Sequence, residues 1–295
     1  MVQLIAIPLA SNSLKRMRYA LTIFILTTLA LGQSAPSGPS STQVSSENAS
    51  PVQGVPTDQE NSRKARTILD QAIQALGGQA FLSFRDLTQE GRRYSFHRGR
   101  PNSLGTLFWR FQKYPDKDRI EFTKQRDVIR IYNGDKGYEV TYKGVHNVEM
   151  KDDLEPYLRR RHYALFIVLR GWINEPGVAL FYEGQTVAAQ KQTDKVTIMN
   201  AKNEAVTLFF DIETHLPVKK TFTWRDPTDK ERNVEEEIYD NYRSVQNIMT
   251  PFDNTSFFNG DMSAQSFLTS ASYNRNFDDS FFDPNRASIS GNKKH

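Results

Sequence analysis

The sequence predicts a single antiparallel α+β domain, and three observations predict it. Short segments with period-two or β-rich apolar patterning follow one another through most of the chain, each bounded by Gly, Pro, Asp or Asn. Helical periodicity is confined to one stretch before the strands and one that interrupts them. No βαβ alternation and no repeat of fixed period is present, which excludes a parallel-sheet or solenoid architecture.

The chain begins with a basic cluster, Lys15-Arg16-Met17-Arg18, ahead of the apolar run Tyr19 to Leu31. That run is too short to span a bilayer comfortably and reads as the core of a signal peptide over residues 1–32. Ala30-Leu31-Gly32 offers small residues for cleavage before Gln33, and Met17 is an alternative start. The other reading is an uncleaved membrane anchor. Residues 33–61 are rich in Ser, Pro and Gln and lack the apolar content to offset their ordering entropy, so they read as a flexible tether.

The formal charge of +4 includes Lys15, Arg16 and Arg18. Without the first 32 residues, 35 of the 38 basic residues remain against 34 acidic ones. Near neutrality gives no electrostatic case for nucleic acid. There is no cysteine, which excludes disulfides, thiolate metal sites, a cysteine nucleophile and lipid attachment through a cysteine.

The folded region is expected over residues 62–286, with a polar tail at 287–295. It opens with a helix in which Ala65, Ile68, Leu69, Ala72, Ile73 and Leu76 recur at three- and four-residue spacing, stopped by Gly77-Gly78. Strands follow at GTLFWRFQKY, RIEFTK and DVIRIYNGDKGYEVTYKG, with Tyr114 to Asp118 and Asn133-Gly134-Asp135 as turns. A helical stretch, KDDLEPYLRRRHYALFIVLRGW, carries a stripe of Leu154, Leu158, Leu165, Phe166 and Leu169. Strands resume at VALFYEG, KVTIMN, AVTLFFDI, LPVKKTFTW and NVEEEIYDNYRSV, and one more lies in the aromatic C-terminal piece. The sum is about ten strands and two or three helices.

Candidate chemistry is sparse. Asp211, Glu213 and His215 are spaced two apart, and on one extended strand they would share a face as metal ligands could. DIETHLP lies between two strands, however, where Asp211 and Thr214 can bond back to the backbone and Pro217 can open the next strand. The turn is the favoured reading, and no metal or cofactor is expected. No HExxH, GxSxG, Walker loop or GxGxxG occurs, and the histidines are scattered. Glu235, Glu236 and Glu237 alternate faces in a strand and read as a solvated edge. Arg159, Arg160 and Arg161 are the strongest local charge signal, either a contact for an anionic head group or acidic partner, or the solvated side of an amphipathic helix. The 19 Phe, 12 Tyr and 3 Trp can fill a core or line a cavity for acyl chains.

Taken together, the signal-like N-terminus, the tether, a helix ending ALGG, a long antiparallel meander, an interrupting helix, DIETHLPVK at a strand turn and the tail FDDSFFDPN resemble the periplasmic lipoprotein carriers, the LolA-like outer-membrane lipoprotein-sorting family. Asp211, Thr214, Leu216 and Pro217 match the most specific segment. The resemblance implies a strongly curved, incompletely closed sheet, a half-barrel wrapping two or three helices, whose apolar concave face takes acyl chains. On that reading Leu107, Trp109, Phe111, Ile120, Phe122, Val140, Leu208, Phe210, Phe222 and Trp224 are candidate liners of the trough, with ordinary core packing as the alternative for each.

The present chain departs from the family in its tether and in the segment around FFNGDMSAQ, and none of Arg92, Arg93 or Arg110 is matched to the arginine that closes the family's lid. The implied protein is a non-enzymatic, monomeric carrier in the periplasm, with a lipid or lipoprotein cargo and a donor or acceptor in the inner or outer membrane. A cell-envelope interaction module with a filled core is the alternative. A metal-dependent hydrolase using Asp211, Glu213 and His215 is the third.

Overall fold

The computed structural model describes residues 58–287, so the expected signal segment, most of the expected tether and nearly all of the polar tail lie outside the described residues. Helix α1 spans Asp58–Leu76 and therefore begins inside the stretch expected as tether, with Asp58 and Glu60 favourably placed in its first turn. Its buried residues are Ala65, Ile68, Leu69, Ala72, Ile73 and Leu76, the face its periodicity assigns. Gly77 and Gly78 have φ of 125° and 53°, and their amides close on the Gln74 and Ile73 carbonyls. A Cβ on Gly77 would meet the Asn247 carbonyl at 2.3 Å, so only glycine lets this corner sit on the sheet. A short α2, Gln79–Ser83, follows.

The sheet has fourteen antiparallel strands and is not closed. In chain order they are β1 Asp86–His97, β2 Arg100–Pro101, β3 Thr106–Lys113, β4 Lys117–Phe122, β5 Val128–Asn133, β6 Lys136–Thr141, β7 Gly144–Asn147, β8 Ala179–Ala188, β9 Lys191–Met199, β10 Ala205–Asp211, β11 Pro217–Arg225, β12 Arg232–Val245, β13 Ile248–Phe258 and β14 Asp261–Tyr273. Two meanders, β3 to β7 and β8 to β14, are joined where β1 pairs with both β3 and β14, leaving β7 and β8 as the free edges. The whole is the curved α+β half-barrel expected.

Four strands are additional to the sequence expectation. β1, β2 and β7 carry too little apolar alternation to announce themselves, and β13 contains Pro251. That proline is tolerated because β13 pairs with β14 only from Asp253 onward, so its missing N–H falls where no ladder bond is made on that side.

The chain crosses from the β7 edge to the β8 edge through residues 150–174, which lie on the concave face. The single helix expected here is broken. After a π-helical turn, Met150–Leu154, come α3, Glu155–His162, and α4, Leu165–Arg170, separated at Ala164, whose backbone is extended. The break sends the expected stripe two ways. Leu154 and Leu158 pack with Tyr132 and Ile120 on the β4–β6 wing, while Leu165, Phe166 and Leu169 join the main core with α1. That core holds Leu180, Val196, Ile198, Val206, Leu208, Phe210, Phe222, Ile248 and Tyr273 from the β8–β14 wing.

The opposite, convex face of the β4–β6 wing is capped separately. Ile129, Ile131 and Val140 bury Phe282, with Phe277 and Phe281 packed around it. The expected aromatic tail is thus a strap across the outside of the sheet.

Candidate functional site

Residues opposite one another in antiparallel strands share a face, so the pairing register assigns every side chain to the concave or convex surface. Arg110, Ile120 and Phe122 are concave; Trp109 and Phe111, opposite Glu121 and Arg119, are convex. One concave row crosses β1, β14, β13 and β12 as Arg93, Ser266, Asn254 and Tyr239. The next row reads Ser95, Ala264, Ser256, Glu237, Lys220 and Leu208. Between the β3 wall and the α3 wall, therefore, the floor of the concavity is made of small and polar residues with arginines beside them.

Charged contacts hold α3 over this floor. Glu235 Oε1 accepts from Arg159 Nε at 3.1 Å and from the Trp224 indole N–H at 3.1 Å, and Oε2 accepts from Arg160 Nε at 2.9 Å. The Arg159 guanidinium also lies over the Trp224 ring, 3.5 Å from its centroid. Tyr157 stacks on Tyr132 with centroids 3.5 Å apart and donates its hydroxyl to Asp118 at 2.9 Å. Asp118 in turn is gripped by Arg110 through Nε and Nη2. Burial works against the Arg110 charge, but Asp118 outweighs it and holds the guanidinium above its ordinary pKa. Burial, helped by Asp118, pushes the Tyr157 hydroxyl well above the usual tyrosine range.

Across the floor, Lys220 is fully buried with its ammonium 2.9 Å from Glu237 Oε2. That ion pair lacks good hydrogen-bond alignment, which leaves the lysine N–H groups without a proper acceptor. Glu237 also accepts from the Tyr239 hydroxyl at 2.6 Å. Burial would raise the Glu237 pKa, yet Lys220, the Tyr239 hydroxyl and Arg93 together hold it below the usual carboxylate value. Arg93 is in the reverse position. It donates to Ser266 Oγ at 3.0 Å and has no ion-pair partner among the described residues. Its pKa is lowered by burial and then by the charges of Arg160 and Arg110, with Glu237 acting in the opposite sense. Arg93 keeps an exposed side chain.

This arrangement corrects several sequence expectations. The ten candidate liners do not share one surface. Ile120, Phe122, Leu208, Phe210, Phe222 and Trp224 are concave, whereas Leu107, Trp109, Phe111 and Val140 are convex. Phe111 meets Phe277 and Phe281 of the strap, Val140 belongs to the cluster around Phe282, and Trp109 lies beneath Arg126. Alternation within β3 is real, but alternation alone does not say which face is inside. Leu208, Phe210 and Phe222 are covered by the helices. The expected contact arginines are also engaged: Arg159 and Arg160 on Glu235, and Arg161 on the Asp116 carbonyl at 3.0 Å. Glu235 and Glu237 do not sit on a solvated edge, because β12 is paired on both sides.

The DIETHLP segment is a turn. The Asp211 carboxylate accepts from the Glu213 amide at 2.9 Å, its carbonyl accepts from the His215 amide at 2.8 Å, and His215 has φ of 58°. Lys191 takes the remaining carboxylate oxygen at 3.0 Å. Among the described residues no group of three or more His, Asp or Glu could hold a metal ion.

The pieces define a class: an open antiparallel half-barrel with helices on its concave face. Proteins of known structure share this fold. A DUF1329 family protein from Desulfovibrio piger superposes with a TM-score of 0.53 at 10% identity, covering 74% of this chain and 96% of that one. A domain from Vibrio parahaemolyticus named for outer membrane lipoprotein sorting gives 0.51 at 10% identity, over 75% and 98% of the two chains. A LolA superfamily protein from Nitrosomonas europaea follows at 0.48. At these identities the likeness is one of fold. No family model matches the sequence, and a search of curated proteins finds no match.

Proposed function

We propose that this protein is a non-enzymatic periplasmic binder and carrier of an acylated cargo, a lipid or a lipoprotein, taken up on its concave face. One observation carries the reading: the sheet stops short of closure, and beside the polar part of its concave face lies a helix that is held only by polar and partly buried contacts. α3 has no fully buried residue, whereas α1 has an entire buried face. The cost of moving α3 is therefore smaller, and moving it would uncover Trp224 and Phe222, an apolar continuation of that face. Acyl chains laid there would gain roughly 0.8 kcal/mol for each buried CH2 group, enough to offset displacement of a short helix. Among the described residues no helix is long and apolar enough to cross a membrane. The lipoprotein-sorting name of the Vibrio domain, which shares the fold, points to the same cargo class.

A second reading is favoured by a specific observation. Leu208, Phe210 and Phe222 are 0–2% exposed, and a partly open pocket lined by Phe84, Tyr114, Tyr157 and Phe166 together with Lys113, Asp116 and Arg161 has a volume of only 20 Å³, about that of one water site. A half-barrel filled in this way would serve as an envelope interaction module instead of a carrier. Native mass spectrometry of the protein purified from an envelope fraction, followed by solvent extraction, separates the two. Co-purified lipid or acylated protein is the expected result. Empty protein that also takes up no added lipid would overturn the carrier reading in favour of the module.

A further inference from the structure

Strand register gathers one end of the β1–β7 wing into a line of exposed tips. Phe108, Phe122 and Val128 face one another across β3, β4 and β5, and Ile129, Val140 and Val145 do so across β5, β6 and β7. Past this row lie three connections: residues 98–105 between β1 and β3, 123–127 between β4 and β5, and Tyr142-Lys143 between β6 and β7. Counted along the chain, Leu104 stands further past the row than Lys124, and Lys124 further than Tyr142. A plane inclined to the strands, as the rim of a barrel is, therefore meets all three tips.

The β1–β2 tip is built to hold its side chains out. Arg98 and Gly99 make the hairpin turn with φ of 50° and 71°. On the return, the Asn102 amide donates to the Ser95 carbonyl at 3.0 Å and the Ser95 amide donates to Ser103 Oγ at 3.0 Å. Gly105, with φ of 86°, lies so close on Tyr94 that a Cβ would sit 2.6 Å from its ring. The loop is fastened on both sides of Leu104, whose side chain is nevertheless 97% exposed. At the β6–β7 tip Tyr142 is 82% exposed, with the Lys143 ammonium 5.7 Å from its ring centroid.

Unpaired cations surround these apolar points. Arg98, Arg100, Lys124 and Lys143 are exposed, and none has a carboxylate partner among the described residues. Of the acids close by along the strands, Glu121 is engaged by Arg119 and Arg126, and Asp127 by the Thr123 hydroxyl, while Asp261 on the adjoining β13–β14 hairpin is exposed. At the opposite end of β3 and β4, by contrast, Lys113 and Lys117 share Asp279. A protein partner of ordinary affinity covers a continuous patch of roughly 800 Å². A bilayer instead takes in each apolar side chain separately and gathers basic residues at its head groups, which suits tips set apart by whole strands.

We propose that this end of the β1–β7 wing docks on an anionic membrane surface, with Arg98, Arg100, Lys124 and Lys143 at the head groups and Leu104 and Tyr142 entering the interface. The proposal goes beyond the carrier reading and does not rest on it, because a carrier and an interaction module could both be held at a membrane in this way.

The chain has no cysteine, so one introduced cysteine carries one environment-sensitive fluorophore. Gln125→Cys labels the docking end and Asp135→Cys the far end of β5, both at exposed positions. The full chain is titrated with vesicles of mixed phosphatidylglycerol and phosphatidylcholine, or of phosphatidylcholine alone. The expected result is a blue shift at 125 and none at 135, seen with the anionic vesicles only and reversed by high salt. In the Gln125→Cys protein, Arg98→Glu combined with Arg100→Glu should weaken the response by at least about twentyfold, each basic residue near such a surface being worth about fivefold. Leu104→Ser combined with Tyr142→Ser should weaken it by about tenfold. These four side chains are exposed, so circular dichroism should stay unchanged in both variants. Equal shifts at 125 and 135 would mean attachment through another part of the chain and would overturn the proposal. An equal response to phosphatidylcholine, or silence with both vesicles, would overturn it as well. A shift at 125 that needs no vesicles and grows with protein concentration would assign this end to a second copy of the chain instead. Each of these failures would leave the carrier reading standing, since that reading is tested by the lipid the protein retains in solution.

Discussion

α1 and α3 lie on the same concave surface, yet they are attached to it by different physics. α1 presents Ala65, Ile68, Leu69, Ala72, Ile73 and Leu76 to a sheet face of Leu, Val, Ile and Phe, and nothing charged intervenes. α3 presents Arg159 and Arg160 to Glu235, and Tyr157 to Tyr132 and Asp118. Apolar contact of the first kind is stabilising wherever water is excluded, and it is hard to reverse piecemeal. Ionic contact of the second kind nearly balances a desolvation cost against an attraction, so a competing anion or a change of pH can tip it. One helix anchors the fold, and the other is suited to move over the site.

The comparison is broken most sharply at α1. Leu69 is fully buried, and Leu69→Ala should cost about 3 kcal/mol through lost burial and the cavity left behind. Urea denaturation should show a lower midpoint with an unchanged slope. A loss below about 1 kcal/mol would mean that α1 is no firmer an anchor than α3. At α3 the corresponding change is Glu235→Ala, which strips the acceptor from Arg159, Arg160 and the Trp224 indole at once. Its expected cost is smaller, about 2 kcal/mol, because water can reach Arg160. Its mark should be local: faster hydrogen exchange in 150–163, with the amides of α1 unchanged. Equal loosening of both helices would sink the distinction.

The same contrast explains what could be read in the sequence. The buried face of α1 follows from helical periodicity residue by residue, and the DIETHLP turn follows from turn chemistry. β1 was illegible for a physical reason: DLTQEGRRYSFH turns Gln89 and Arg93 toward the concave face and Glu90 and Arg92 toward the outside, so neither face is apolar enough to mark it as a strand. This part of the concave face is therefore hidden in a segment that looks like a loop. Trp109 and Phe111 mislead in the opposite sense. Their apolar alternation belongs to the convex surface, where Arg126 and the C-terminal strap cover it, and only pairing register could reveal that. Substitution of Trp109 consequently probes the outside of the sheet, whatever the trough binds. Glu235 and Glu237 looked like a solvated edge because a run of three glutamates carries no record of what lies across the concavity.

A finer test lies in acid. The folded-state pKa of Glu237 is held below its ordinary value, against the effect of burial, chiefly by Lys220, then by the Tyr239 hydroxyl and Arg93. As pH falls, the unfolded chain takes up this proton first. The stabilisation from the carboxylate is thus complete above about pH 4.3, the ordinary glutamate value, and declines as pH drops toward the folded-state value. Glu237→Gln should cost about 1 kcal/mol near neutrality and progressively less in acid. A cost that stays constant down to the lowest pH at which the protein remains folded would mean that the carboxylate's charge plays no part in holding the floor together.

The smallest expected effect supplies the control for all of these. Arg66 and Asp70 form a 3.1 Å pair one turn apart on the outer side of α1, with side chains 42% and 55% exposed. In geometry it rivals the Arg160–Glu235 contact, but both partners are surrounded by high-dielectric water and screened by salt. Asp70→Asn should therefore change stability by no more than about 0.5 kcal/mol, less as salt is added. Arg66 would keep its 2.9 Å bond to the Ile173 carbonyl and lose nothing of its position. If Asp70→Asn proved as costly as Glu235→Ala, the worth of an ion pair in this protein would not depend on the walls around it. The distinction between a helix that anchors and a helix that can move would then rest on apolar burial alone.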